Sequence, residues 1–413
     1  VVVSQEQRIK VTLGCENLLN HHLDVIKGKR VGLVTNPTGV DSKLQSLIDL
    51  FYKHPGIDLV ALYGPEHGLR GNVHAGEYVS FYRDEKYDLP VFSLYGQNRD
   101  YDQEMITDVD AHMRMFDTVE EGKTPEKSML EDVNVLVFDI QDVGTRIYTY
   151  VATMAICMRA CAEFGLEFIV LDRPNPINGI DMEGPILEYP EFSSFVGLYP
   201  IPVRHGLTLG ELARLFNDRF LRKRVNLIVI PMQGWHRDMW FDQTSLPWVP
   251  PSPNMFSLQT AIVYPGQVFL EGTNVSEGRG TEKPFELFGA PWIDGDGLEK
   301  DLNHLCLPGM KFKGVDFKPA FSKYGGEHCR GIQIQVTDRN SYKPFEVALH
   351  IIKTIKDIYP DRFHFHSHYF DKIIGTASVR HAIEKGEKIE KIIERYEPQL
   401  NSFAELRKAY LMY

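Results

Sequence analysis

No apolar run in the 413 residues approaches the roughly 20 that a membrane-crossing helix needs, so no integral membrane segment is expected. A basic surplus is also missing. The 45 Lys and Arg are outnumbered by 56 Asp and Glu, for a net charge of −11. Nucleic-acid phosphates need a basic face, so no nucleic acid is expected as a partner. Cysteine is scarce: Cys15, Cys157, Cys161, Cys306 and Cys329 form an odd, scattered set that makes no disulfide framework. Cys157 and Cys161, four apart in a helical stretch, read as small core residues. No nucleophile elbow of the G-x-S-x-G type, no H-E-x-x-H and no P-loop occur. The chain opens on Val1 and not on Met, so a trimmed N-terminus is expected, and a removed signal peptide would leave no trace.

What is present describes a globular protein. Hydrophobic residues make up 43% and charged residues 24%, and the length suits two to three domains at roughly 150 residues each. Six short apolar runs lack polar alternation: 31–36 (VGLVTN), 58–63 (DLVALY), 91–95 (VFSLY), 135–140 (VLVFDI), 168–172 (FIVLD) and 227–231 (LIVIP). Such runs are strands buried on both faces, which means a parallel sheet. Helical patterns at 43–54, 149–164 and 208–220 lie between them, the last opened by a capping box of Thr208 and Glu211. The reading is a Rossmann-like, doubly wound α/β domain with a mainly parallel sheet over residues 1–232. Beyond Met232 the texture turns to Trp-, Pro- and Gly-rich segments. These are followed by an alternating strand at 332–337 and amphipathic helices at 345–358, 379–385 and 389–396. Residues 233–413 are therefore expected to form a second, smaller α+β domain.

In open parallel sheets, ligands bind beyond the carboxyl ends of the strands. The segments there are polar: GPEHGLRG (64–71) with His74 and Glu77 after it, QDVGTRIYTY (141–150), DRPNP (172–176) and PVRHG (202–206). A dinucleotide would need G-x-G-x-x-G after the first strand, where Thr35-Asn-Pro-Thr-Gly39 offers one suitable glycine. A nucleotide- or NAD-dependent enzyme is thus the weaker reading of this fold, and no cofactor is expected. His364, His366 and His368 would share a face if they lay on a strand. They have no carboxylate cluster beside them, and aromatic residues interleave with them, so no metal is expected.

Paired carboxylates remain, and these are the chemistry of glycoside cleavage: one protonated acid, and usually a second group as base or nucleophile. Glu66, in a tight loop at a strand end, is the candidate acid, because burial favours the protonated form of a carboxyl group. Glu77, or Glu271, Glu277 or Glu282 of the segment 271–282, would fill the second role. Arg70, Arg146, Arg204 and Arg279 could each hold a substrate carboxylate through the guanidinium fork. His67, Asp142, Tyr148, Asn175, His205, Asn254 and Asn274 complete the candidate substrate contacts. Turn capping explains Asn175 and Asn254 equally well.

Six segments in order, GPEHGLRG, QDVGTRIYTY, LDRPNPI, PVRHGLTLGELA, PSPNM and EGTNVSEGRGT, resemble the exo-β-N-acetylmuramidase (NamZ) family from about Lys29 to the C-terminus. The resemblance implies a Rossmann-like domain, a smaller C-terminal α/β domain and a cleft between them. It also implies release of terminal N-acetylmuramic acid from the non-reducing end of peptidoglycan glycan fragments. The partners would be oligosaccharides of N-acetylmuramic acid and N-acetylglucosamine. The family's G-P-E-H-G glutamate falls on Glu66. Cell-wall chemistry further implies export, whether periplasmic, secreted or lipid-anchored. A non-catalytic receptor for peptidoglycan fragments is the alternative from outside enzymology.

Overall fold

The structure is a computed structural model that describes residues 10–71, 73, 79–95 and 124–413. Its centre is a seven-stranded sheet of β1 (Arg30–Thr35), β2 (Asp58–Gly64), β3 (Tyr82–Asp84), β4 (Leu89–Ser93), β5 (Val135–Asp139), β6 (Glu167–Leu171) and β7 (Asn226–Ile230). The order is β3-β4-β2-β1-β5-β6-β7. All pairs are parallel except β3 with β4. The six expected runs are the six parallel strands. They wind outward from β1 through β2 and β4 on one side and through β5, β6 and β7 on the other, so the order reverses between β1 and β5. The fold is therefore doubly wound.

Alternate side chains of each strand enter two separate apolar layers, as the period of two requires. Leu136, Phe138, Phe168 and Val170 pack on one face, beneath the helices Tyr150–Phe164 and Leu209–Arg219. Val135, Val137, Ile169 and Leu171 pack on the other, beneath Gly14–His21 and Leu47–Lys53. The first helix can approach because residue 14 is glycine: a Cβ there would stand 2.4 Å from the backbone nitrogen of Asp172. The capping box forms as expected, with Thr208 Oγ1 accepting from the Glu211 amide at 3.2 Å and Glu211 accepting from the Thr208 amide at 3.0 Å.

Two local expectations are corrected. The helix expected from residue 43 begins at Leu47. The Asp41 carboxylate takes the amides of Lys43 and Gln45, and Leu44 adopts φ +63°, which spends those residues on a turn. The three histidines do not share a strand. His364 and His366 lie in a loop and His368 is in the helix Ser367–Ile374. Asn274 clamps that loop, accepting from the His364 amide and donating to the Arg362 carbonyl.

Past the large sheet, β8 (Leu287–Ala290), β9 (Met310–Phe317) and β10 (Cys329–Val336) form an antiparallel sheet in the order β8-β10-β9. Helices including Leu258–Gln267, Gly295–His304 and Pro344–Ile358 surround it. One apolar cluster runs without a break from Phe138 and Phe168 to Phe345, Ile352 and Phe370. Among the described residues, no helix is long and apolar enough to cross a membrane.

Candidate active site

The loop after β2 turns sharply. A Cβ at Gly64 would lie 2.7 Å from the Leu69 nitrogen, and His67 and Gly68 both take left-handed backbone, at φ +72° and +74°. Only one of these two is glycine, so His67 holds a conformation that costs an ordinary side chain energy. Its Nδ1 lies 2.9 Å from the Val73 carbonyl. The turn carries Glu66 inward, leaving it 5% exposed. Glu66 Oε2 accepts a hydrogen bond from Thr149 Oγ1 at 2.7 Å, and Oε1 has no partner among the described residues. Thr149 is the residue from which the helix Tyr150–Phe164 starts, so Glu66 meets the positive end of a fifteen-residue helix.

Glu66 and Thr149 line an open-mouthed cavity of about 60 Å3. Tyrosines form the near wall. The Tyr148 ring meets Tyr150 and Tyr264 edge to face at 4.9 and 5.7 Å, and Tyr264 meets Phe285 at 4.8 Å. Burial pushes the phenols of Tyr148 and Tyr264 well above their ordinary range, Tyr150 adding to the first and Glu271 to the second. Both therefore stay protonated.

The far wall comes from the segment 271–282. Arg279 donates from Nε and Nη2 to Glu271 Oε1 at 3.0 and 2.6 Å, and Tyr369 donates to Glu271 Oε2 at 3.0 Å. Glu277 lies behind, 3.5 Å from Arg279 Nε and 3.1 Å from Lys323 Nζ. Burial pushes the Glu277 carboxyl up, but Lys323 and Arg279 together outweigh it and hold the group below the usual carboxylate range. Burial likewise opposes the charge on Arg279, and Glu271 and Glu277 override it, raising the guanidinium above its ordinary value.

Of the residues singled out in the sequence, the cavity gathers Glu66, His67, Tyr148, Asn254, Glu271 and Arg279. Glu277 stands behind them, and Glu282 is exposed elsewhere. Glu77 and His74 lie outside the described residues. Arg70 is on the surface beside β3, paired with Asp84 at 2.6 Å. Arg146 is buried and donates to the carbonyls of Pro185, Ile201, Ile373 and Ile374. Burial pushes this guanidinium down to about 9. Arg204 is buried against Glu183 at 2.8 Å and Asp181 at 3.2 Å. His205 accepts from the Leu207 amide at 3.1 Å, with its Nε2 3.8 Å from Asp142. Asn175 closes a turn, accepting from the Ile177 amide and donating to the Leu207 carbonyl. Sequence reasoning missed Thr149, Tyr264 and Tyr369 as parts of this site. Thr149 sits inside QDVGTRIYTY, but nothing in the sequence distinguishes the two tyrosines from core aromatics.

The reversal point between β1 and β5, where dinucleotides bind on this topology, is a small pocket lined by Thr38, Gln141 and Arg173 among others. The Gln141 backbone amide donates to Thr38 Oγ1, and its side-chain amide donates to the Asp142 and Pro174 carbonyls, all within 2.9 Å. Arg173 grips Asp139 at 2.6 and 2.8 Å.

Fold and site thus define a doubly wound α/β protein with a second, antiparallel sheet after the large one. The candidate cavity lies between the sheet's loops and a C-terminal α/β region. The chain belongs to the exo-β-N-acetylmuramidase NamZ family, whose N-terminal model matches residues 31–117 and 108–259 and whose C-terminal model matches 262–413. It is 49% identical over 405 residues to the peptidoglycan β-N-acetylmuramidase NamZ of Bacillus subtilis strain 168, covering 98% of this chain and 92% of that protein. Two crystal structures of DUF1343 family proteins from Bacteroides fragilis NCTC 9343 share its fold. One has a TM-score of 0.87 at 38% identity, covering 98% of this chain and 100% of the other. The second has a TM-score of 0.73 at 29% identity, covering 98% and 99%.

Proposed function

We propose that the protein is an exo-acting glycosidase that releases β-1,4-linked N-acetylmuramic acid from the non-reducing end of peptidoglycan glycan fragments. Family membership and the close curated relative support the reaction. The observation that carries the assignment of its acid is the state of Glu66. One carboxyl oxygen is fixed by Thr149, and the other is free at the cavity. Glu66 protonates the glycosidic oxygen as the bond to the leaving sugar breaks.

The second role is narrower than the sequence left it. Both oxygens of Glu271 are engaged by Arg279 and Tyr369, Glu277 is held between Arg279 and Lys323, and Glu282 does not line the cavity. The candidates that remain are Glu77 and the sugar's own 2-acetamido group, which serves as nucleophile in substrate-assisted glycosidases. Residues 1–232 supply the acid and its anchor, and residues 233–413 supply the arginine wall. Because peptidoglycan is a cell-wall polymer, this reading carries export of the protein as a further proposal, and fractionation of producing cells tests it.

Chromophore release from a β-linked aryl N-acetylmuramic acid glycoside tests the reaction, with the N-acetylglucosamine analogue alongside. Release from the muramic compound is expected. Glu66→Gln keeps the shape and removes the transferable proton, so turnover should fall about 100- to 10,000-fold. Tight binding of the sugar by an inert wild type would make the protein a receptor.

A further inference from the structure

We infer that Arg279 is the residue that distinguishes N-acetylmuramic acid from N-acetylglucosamine by binding the lactyl carboxylate, an inference that rests on the muramidase reading above. The two sugars differ at one position, where the muramic sugar carries a lactyl ether bearing a full negative charge. Inside a cavity that charge must meet a cation or forfeit its hydration. Four arginines were candidates, and three are committed elsewhere: Arg70 to Asp84 at the surface, Arg146 to four backbone carbonyls, and Arg204 to Glu183 and Asp181. Among the described residues lining the cavity, Arg279 alone carries a permanent positive charge.

Its guanidinium is held for the purpose. Nε and Nη2 each give a hydrogen to Glu271, and the flat face lies 4.9 Å from the Phe285 ring. Glu277 fixes it from behind. Glu277 is in turn held by Lys323, whose ammonium also bonds to the carbonyls of Leu270, Glu271 and Val275. Nη1 makes no hydrogen bond to a described residue, and Nη2 has a second hydrogen to give. These two nitrogens form the outer edge of the fork, which is the edge that takes a carboxylate through two parallel bonds.

Glu271 and Glu277 balance Arg279 and Lys323, so the group has no net charge to attract anions from a distance. Selectivity must then come from short, oriented bonds inside the cavity, where a lost partner is felt most. Orientation fixed before binding also spares the entropy of ordering a long side chain.

The test compares kcat/KM of the full chain for three β-aryl glycosides: N-acetylmuramic acid, its lactyl carboxamide and N-acetylglucosamine. The carboxamide keeps the shape of the lactyl group and removes its charge. Wild type should prefer the acid over the carboxamide on the order of 100-fold. In Arg279→Gln that preference should shrink to about 3-fold or less, through loss of activity on the acid and not gain on the amide. Arg279→Lys keeps the charge but not the fork, and should fall between; it also serves if the Gln variant does not fold. Equal use of acid and amide by wild type, or an undiminished preference in both variants, overturns the inference and leaves the muramidase reading standing. Failure of wild type to cleave any of the three overturns both.

Discussion

The Thr149 hydroxyl donates to Glu66 across 2.7 Å while capping nothing in its own helix. A threonine at a helix start normally spends its oxygen on a free backbone amide. Here the side chain bonds to Glu66 instead. Glu66 is thereby fixed at one oxygen, and its other oxygen is free at the cavity.

Thr149→Val should therefore lower kcat by about 10- to 100-fold with little change in KM, because the acid loses its position and the sugar loses no contact. Thr149→Ser should restore most of the rate. Steady-state kinetics on the aryl muramic glycoside give the split. A rise in KM at constant kcat would instead make Thr149 a substrate contact.

Arg146 is expected to act through the fold. Its four carbonyl partners come from 185, 201, 373 and 374, so one guanidinium ties the loops after β6 to the helix Ser367–Ile374. Lysine offers three donors from a point and cannot span those directions. Arg146→Lys should cost about 3 kcal/mol of stability in chemical denaturation. The folded fraction should keep its specific activity. Loss of activity without loss of stability would place this arginine at the substrate.

Asp172 makes stability depend on pH. Burial pushes its carboxyl up to about 6, against hydrogen bonds from Thr208, Gly210 and Tyr413. The folded protein therefore keeps a proton that the unfolded chain has released between about pH 4 and pH 6. The stabilisation from this group is fully present below that window and is lost as pH rises through it, by roughly 3 kcal/mol. Asp172→Asn should remove this decline, whatever constant offset the amide introduces. Denaturation curves at several pH values, compared between wild type and variant, give the difference. Parallel curves would show that Asp172 ionises alike in both states.

The parallel strands were legible because a strand buried on both faces has no polar alternation to hide it, as in Val135–Asp139. β3 was not, since Tyr82–Asp84 is short, partly exposed and paired on one side only. The helix Ser367–Ile374 was hidden by the alternation of His and aromatic residues just before it, which mimics a strand. At the candidate site, polar motifs at strand ends included residues that line the cavity. They could not separate residues that face the cavity, such as Glu66, from those that satisfy backbone groups beneath it, such as Arg146 and Asn175. Both kinds need the same side chains, and only the packing decides which way each one turns.

The short antiparallel β3 sets how this sheet ends. Beyond β4, whose Pro90 pairs with Arg83, the border of the sheet among the described residues is three residues long and carries an Arg83–Asp88 ion pair. Such a border gives a foreign strand almost no ladder to join, and the charges oppose its approach. Along that margin the described edge is guarded against polymerising through its backbone, however crowded the molecules become.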